Sequence, residues 1–122
     1  MMKNISSEAQ EQAALFEWAR RMEGKYPPLA LLYAIPNGGS RHLVEAMHLK
    51  EQGVKSGVPD ICLPVPNPVY TALYIELKRK DGGRVSDAQR GWLRALNRVG
   101  CKAVVCCGWD EAREVILEYL RR

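Results

Sequence analysis

Residues 57–78 read GVPDICLPVPNPVYTALYIELK, and the placement of the prolines in this stretch governs the reading of everything around it. Two apolar runs, Asp60 to Leu63 and Thr71 to Lys78, flank a connection rich in proline, Pro64-Val65-Pro66-Asn67-Pro68. Proline cannot donate to a sheet ladder, so the connection is a loop and the runs beside it read as a strand hairpin. Side chains alternate along a strand, which sends Glu76 and Lys78 to one face and Ile75 and Leu77 to the other. A hairpin centred near Pro68 sets Asp60 opposite Glu76, each eight residues from that centre. Two carboxylates facing each other across a hairpin repel unless something compensates.

Working outward, Ser7 and Gln10 form a capping box that opens a helix from Ser7 to about Glu23. Leu15, Trp18, Ala19 and Met22 form its apolar stripe, and Gly24 ends it. The run from Leu29 to Ile35 reads as a strand and Pro36 to Ser40 as a turn. Ser40 then caps a second helix that reaches Gln52 and closes at Gly53. Beyond the hairpin, Asp81-Gly82-Gly83 breaks the chain, and Ser86-Asp87-Ala88-Gln89 is a second capping box whose helix stops at Gly100. Lys102 to Cys107 is an apolar strand. Asp110 is expected to cap a last helix, apolar at Ala112, Val115, Ile116 and Leu120. The order αβαββαβα, with an antiparallel hairpin followed by a parallel strand–helix–strand crossover, predicts an α/β fold. Its mixed central sheet is flanked by helices. At 122 residues the chain reads as one domain over 1–122.

Composition narrows the function classes. Hydrophobic residues make up 47% and charged residues 26%, ordinary for a globular protein, and no apolar run approaches the roughly 18 residues of a membrane span. Residues 1–7 lack the apolar stretch of a secretory signal, which predicts a cytoplasmic protein. Cys62, Cys101, Cys106 and Cys107 include no C-x-x-C pair and no histidine companion, so they are expected as buried reduced thiols rather than zinc ligands. The net charge is +4, and Arg41, Lys50, Lys55, Lys78, Arg79, Lys80, Arg84 and Arg90 crowd the middle of the chain. That distribution is compatible with a nucleic-acid partner.

The chemistry concentrates at the end of the hairpin. A divalent cation relieves the repulsion between Asp60 and Glu76, and hard oxygen ligands suit Mg²⁺ or Mn²⁺. The Leu77 carbonyl offers a further ligand. A cation there polarises a phosphate oxygen and lowers the pKa of a bound water, while Lys78 orients that water or stabilises charge developing at phosphorus. Phosphodiester hydrolysis is the natural use. Pro-Asp and Glu-x-Lys are nevertheless short patterns that recur by chance, and an exposed Glu/Lys pair on a strand is a common surface feature.

Longer stretches carry more weight. Gly57-Val58-Pro59-Asp60, Glu76-Leu77-Lys78 and Gln89 resemble the PD-(D/E)XK nuclease signature, the restriction-endonuclease-like core. Residues Ile35 to Arg41, Lys55 to Asp60, Ile75 to Arg79, Ser86 to Gln89, and Val99-Gly100 together resemble the VRR-NUC (virus-type replication-repair nuclease) family over nearly the whole chain. The resemblance implies an αβββαβ core, Mg²⁺- or Mn²⁺-dependent DNA cleavage and kinship with Holliday-junction-resolving enzymes. It also implies catalytic roles for Asp60, Glu76 and Lys78, with an active-site role for Gln89 beside its capping position. Glu11, on the apolar stripe of the first helix, matches the place from which the superfamily supplies a further acidic metal ligand, with Glu8 as substitute. A solvated acid favoured by the helix dipole is the competing reading of Glu11.

Arg41, Lys55, Arg79 and Lys80 are candidate phosphate contacts, and the amides of Gly38 and Gly39 can assist unless those glycines serve only a turn. His42 and His48 read as surface helix residues. No segment offers a helix rich in Arg, Asn and Gln of the kind that reads base edges, so recognition is expected to rest on DNA shape and charge. A small domain related to junction-cutting enzymes is expected to act as a homodimer on four-way DNA, with Pro64 to Tyr70 and the last helix as candidate contacts. The alternatives are a non-catalytic DNA-binding module that keeps the nuclease fold and a protein-interaction domain without salt-dependent DNA affinity.

Overall fold

The computed structural model describes residues 5–36 and 43–122. Its elements are α1 (Glu8–Met22), a 3-10 helix (Pro27–Leu31), β1 (Tyr33–Ala34), α2 (Leu43–Glu51), β2 (Ile61–Leu63), β3 (Leu73–Lys78), α3 (Asp87–Arg98), β4 (Lys102–Cys107) and α4 (Trp109–Arg121). The strands form one sheet in the order β1-β2-β3-β4. β1 with β2 and β2 with β3 pair antiparallel, and β3 with β4 parallel, so the sheet is mixed as the sequence predicts.

Ile61 pairs with Ile75 and Leu63 with Leu73, the register that brings Asp60 level with Glu76 one step further on. Alternation then divides β3. Leu73, Ile75 and Leu77 enter the main core with Ile61 and Leu63 of β2, Leu15 and Ala19 of α1, and Ala112, Ile116 and Tyr119 of α4. Tyr74, Glu76 and Lys78 point to the opposite face, where α3 packs on β4. Asn97 of α3 accepts a hydrogen bond from the Ala103 amide and donates one to the Ala103 carbonyl, each at 2.9 Å. That clamp blunts the outer edge of β4.

Both predicted capping boxes form, Ser7 with Gln10 and Ser86 with Gln89. Cys62, Cys101 and Cys106 are buried free thiols, and Cys107 is half-buried.

Two expectations are corrected. Leu29 to Ile35 is not one strand: Pro27-Pro28 start a 3-10 turn that buries Leu29, leaving two residues for β1. Asp110 does not cap α4. The helix begins at Trp109 after Gly108, whose φ of 93° suits glycine, and the Trp109 amide donates instead to Glu11 Oε1 at 2.9 Å. The two candidate dimer surfaces meet within the chain at Tyr119, while Pro64, Pro66, Pro68 and Val69 stay exposed. The Tyr119 hydroxyl donates to the Val65 carbonyl, the Asn67 amide donates to the Tyr119 carbonyl, and the Tyr70 and Tyr119 rings stack. The proposed Ser40 cap lies outside the described residues. No helix among the described residues is long and apolar enough to cross a membrane.

Candidate active site

Asp60 stands immediately before β2, and Glu76 and Lys78 occupy the last turns of the pleat of β3. The hairpin register brings the first to the other two. Asp60 Oδ2 accepts from the Leu77 amide at 2.8 Å, which fixes its carboxylate against β3. The amide and carbonyl of an extended residue leave the strand on the same edge, so the Leu77 carbonyl also faces the Asp60 side.

Glu76 is 1% exposed and Lys78 4% exposed. The Lys78 ammonium lies 3.4 Å from Glu76 Oε2. Gln89 closes the cluster: its Nε2 donates to Glu76 Oε2 at 3.0 Å, while its Oε1 accepts from Lys78 Nζ at 3.2 Å and from the Ser86 amide at 2.9 Å. One side chain therefore completes the α3 capping box and holds both charged residues of β3. The two roles that the sequence left open for Gln89 are geometrically compatible.

Glu76 Oε1 has no such support. It is buried, and among the described residues no N–H or O–H group donates to it. Burial foremost, and then the charge of Asp60 and a proton shared with it, push the Glu76 carboxyl up to about 8, against the opposing pull of Lys78. A buried acid that stays protonated near neutrality, with an orphaned oxygen beside a second carboxylate, is a donor set that a hard divalent cation completes. Mg²⁺ commonly takes only one or two carboxylates and fills its remaining positions with water and substrate phosphate. The pair Asp60 and Glu76, with the Leu77 carbonyl, fits that demand. Among the described residues no three acidic, histidine or cysteine side chains gather as a metal cluster.

The structure gives Glu11 a different neighbourhood. It is 2% exposed, and its carboxylate satisfies the first amide of α4 through Trp109. That is neither the solvated acid nor a cluster with Asp60 and Glu76. Glu8 is exposed, with Oε2 near Gly83 and the Lys78 side chain. Lys55, Arg79 and Lys80 are exposed, and Arg79 pairs with Asp81 at 3.4 Å. His48 is exposed, while Arg41, His42, Gly38 and Gly39 lie outside the described residues.

Two positioning contacts were not anticipated. Gly57 has φ of 86°, and a Cβ placed on it would come within 2.7 Å of the Ala88 backbone. Trp92 Nε1 donates to the Ser56 carbonyl at 3.1 Å. Together they press the segment leading into Asp60 onto the first turns of α3, the helix that carries Gln89. A glycine just before Val58-Pro59-Asp60 was a visible signal of a tight approach, whereas the Trp92 contact spans 36 residues and leaves no local trace.

The VRR-NUC domain model matches residues 3–110 of the chain. Among solved structures, a VRR_NUC domain protein superimposes with a TM-score of 0.83 at 27% identity, covering 97% of this chain and 91% of that one. No curated protein matches.

Proposed function

The chain belongs to the VRR-NUC family, a nuclease-type fold whose substrate is DNA, and on that premise we propose that it is a Mg²⁺- or Mn²⁺-dependent endodeoxyribonuclease selective for branched DNA, in the manner of a Holliday-junction resolvase. The observation that carries this reading is the half-buried Asp60 beside the buried Glu76, whose Oε1 has no hydrogen-bond partner among the described residues, next to a lysine held in place by Gln89.

Asp60, Glu76 and the Leu77 carbonyl would hold the cation. When bound, it supplies a Lewis acid for a phosphate oxygen and a more acidic water. Lys78 brings a fixed positive charge to the place where negative charge grows as water adds to phosphorus. Gln89 keeps the ammonium from swinging away and holds Glu76 in one rotamer. Hydrolysis then breaks one bridging P–O bond, and the departing oxygen takes a proton. Lys55, Arg79 and Lys80, all exposed, supply backbone phosphate contacts, and Arg41 belongs with them by sequence. Glu11, which also accepts from the Trp109 amide, is an auxiliary acidic ligand for the cation.

The working unit is taken as a homodimer whose two-fold axis matches the symmetry of a four-way junction. Exposed Pro64, Pro66, Pro68 and Val69 remain available for the contact. The test is a cleavage panel over linear, flap and four-way DNA at matched salt, with Mg²⁺, Mn²⁺ or EDTA, beside light scattering of the free and DNA-bound protein. Paired, metal-dependent nicks near the branch point are expected. Salt-sensitive binding without cleavage in either metal would leave only a DNA-binding module.

A further inference from the structure

The α1 helix has two working faces. Glu11, Leu15 and Ala19 enter the core, whereas Ala9, Gln12, Ala13 and Phe16 recur at helical spacing on a neighbouring face. This second face forms one wall of a solvent-open groove of about 490 Å³. Ala34 of β1, Ile35 and Pro36 just after it, and Asp60 complete its lining. The Ile35 amide donates to the Asp60 carbonyl at 2.7 Å, so the groove wall and the candidate catalytic residue are tied together.

Among the described residues no lysine or arginine lines the groove. What it offers is an aromatic ring, small alanines that leave room beside the ring, an aliphatic and a proline surface, and one amide. Those are the requirements of a planar heteroaromatic ring: a surface to stack on, an apolar slot, and a group at the edge that both donates and accepts. A DNA strand whose phosphate reached Asp60 would present its nearest unpaired base within reach of this groove. Resting on the nuclease reading above, we propose that the groove is a base-binding subsite, in which Phe16 stacks an unpaired nucleobase next to the phosphate being cut and Gln12 contacts its edge. The subsite selects DNA that has an unstacked base near the cut and discriminates against continuous duplex.

The experiment uses the intact protein with short oligonucleotides carrying 2-aminopurine at successive positions, in Ca²⁺ to hold cleavage back and then in Mg²⁺ to score it. A 2-aminopurine that leaves its stack gains fluorescence. The wild type is expected to raise the signal at one position adjacent to the cut. Phe16→Ala removes the stacking ring, and Ala13→Leu, at an exposed helix position, fills the slot without touching the core. Both are expected to lose the signal and to weaken binding of unpaired DNA about tenfold, within the range of base–aromatic stacking. Binding of continuous duplex is expected to stay within about twofold of wild type. Because Phe16 also packs on the core, Ala13→Leu decides the matter if Phe16→Ala unfolds. An unchanged signal in Ala13→Leu, or no responsive position in the wild type, overturns the subsite. Cleavage without a responsive base leaves the nuclease reading standing and removes the subsite alone. A responsive base without cleavage does the reverse.

Discussion

The two faces of β3 are built from alternate residues of one six-residue strand, yet they obey opposite rules. On one side Leu73, Ile75 and Leu77 are at most 1% exposed and meet aliphatic side chains from α1, α4 and β2. Apolar side chains meet apolar side chains there, and their burial is favourable. On the other side Glu76 and Lys78 are buried almost as deeply, but one carboxylate oxygen has no donor among the described residues and the acid is held far from its ordinary pKa. Buried charge is costly unless it is paired and fully hydrogen-bonded. The apolar face therefore stabilises the fold, and the polar face draws on that stability to hold a reactive arrangement in place.

Substitutions of matched depth on the two faces should separate these roles. Glu76→Gln is expected to lower Mg²⁺-dependent cleavage roughly 10²- to 10⁴-fold, while the protein without metal unfolds no more easily than wild type. Ile75→Ala, one residue away, is expected to cost about 2–5 kcal/mol of stability, with the cleavage rate of the folded fraction largely kept. Denaturant melts beside initial cleavage rates read both. A Glu76→Gln protein that cuts normally breaks the comparison at its centre.

The same difference predicts a pH dependence in the metal-free protein. Glu76 has an ordinary value near 4.5 when unfolded and about 8 when folded. Between those values the folded chain keeps a proton that the unfolded chain has released. Stability must therefore fall as pH rises from about 4.5 to 8, losing what the protonated acid contributed at lower pH. Glu76→Gln cannot ionise, so its advantage over wild type should be absent near pH 4 and grow towards pH 8. Melting in EDTA across that range checks the sign. Parallel curves for the two proteins would mean that Lys78 already balances the charge of Glu76.

How much of this was legible follows the range of the interactions. The Asp60–Glu76 register could be read because a hairpin is a local object and its prolines mark the centre. Both capping boxes are contained within four residues, and β4 from Lys102 to Cys107 is bounded by a glycine at each end. The apolar run from Leu29 hid a 3-10 turn because strand and short helix share the same composition, and Pro27-Pro28 decided between them. Tyr119 was missed as a core residue since its burial depends on the proline-rich loop folding over α4. The Trp92–Ser56 contact and the groove beside Phe16 are likewise tertiary, assembled from segments with no pattern linking them.

Glu11 is where local and tertiary readings collide, and it carries the smallest expected effect. The sequence offered Asp110 as the cap of α4, but the first amide of that helix goes to a carboxylate 98 residues away. Glu11→Ala should strip the Trp109 amide of its partner and cost about 0.5–2 kcal/mol, as loss of a helix cap does. Glu11→Gln keeps an oxygen for that amide and removes only the charge at the positive end of the helix, worth about 0.3–1 kcal/mol. The Gln variant thus isolates the charge from the hydrogen bond. If Glu11 also serves the metal, the Mg²⁺ concentration for half-maximal cleavage should rise in Glu11→Gln, by less than in Glu76→Gln, while the maximal rate at saturating Mg²⁺ is largely recovered. An unchanged Mg²⁺ requirement together with the small stability loss would confine Glu11 to joining α1 and α4. The polar side of the molecule would then hold its cation with Asp60, Glu76 and the backbone alone.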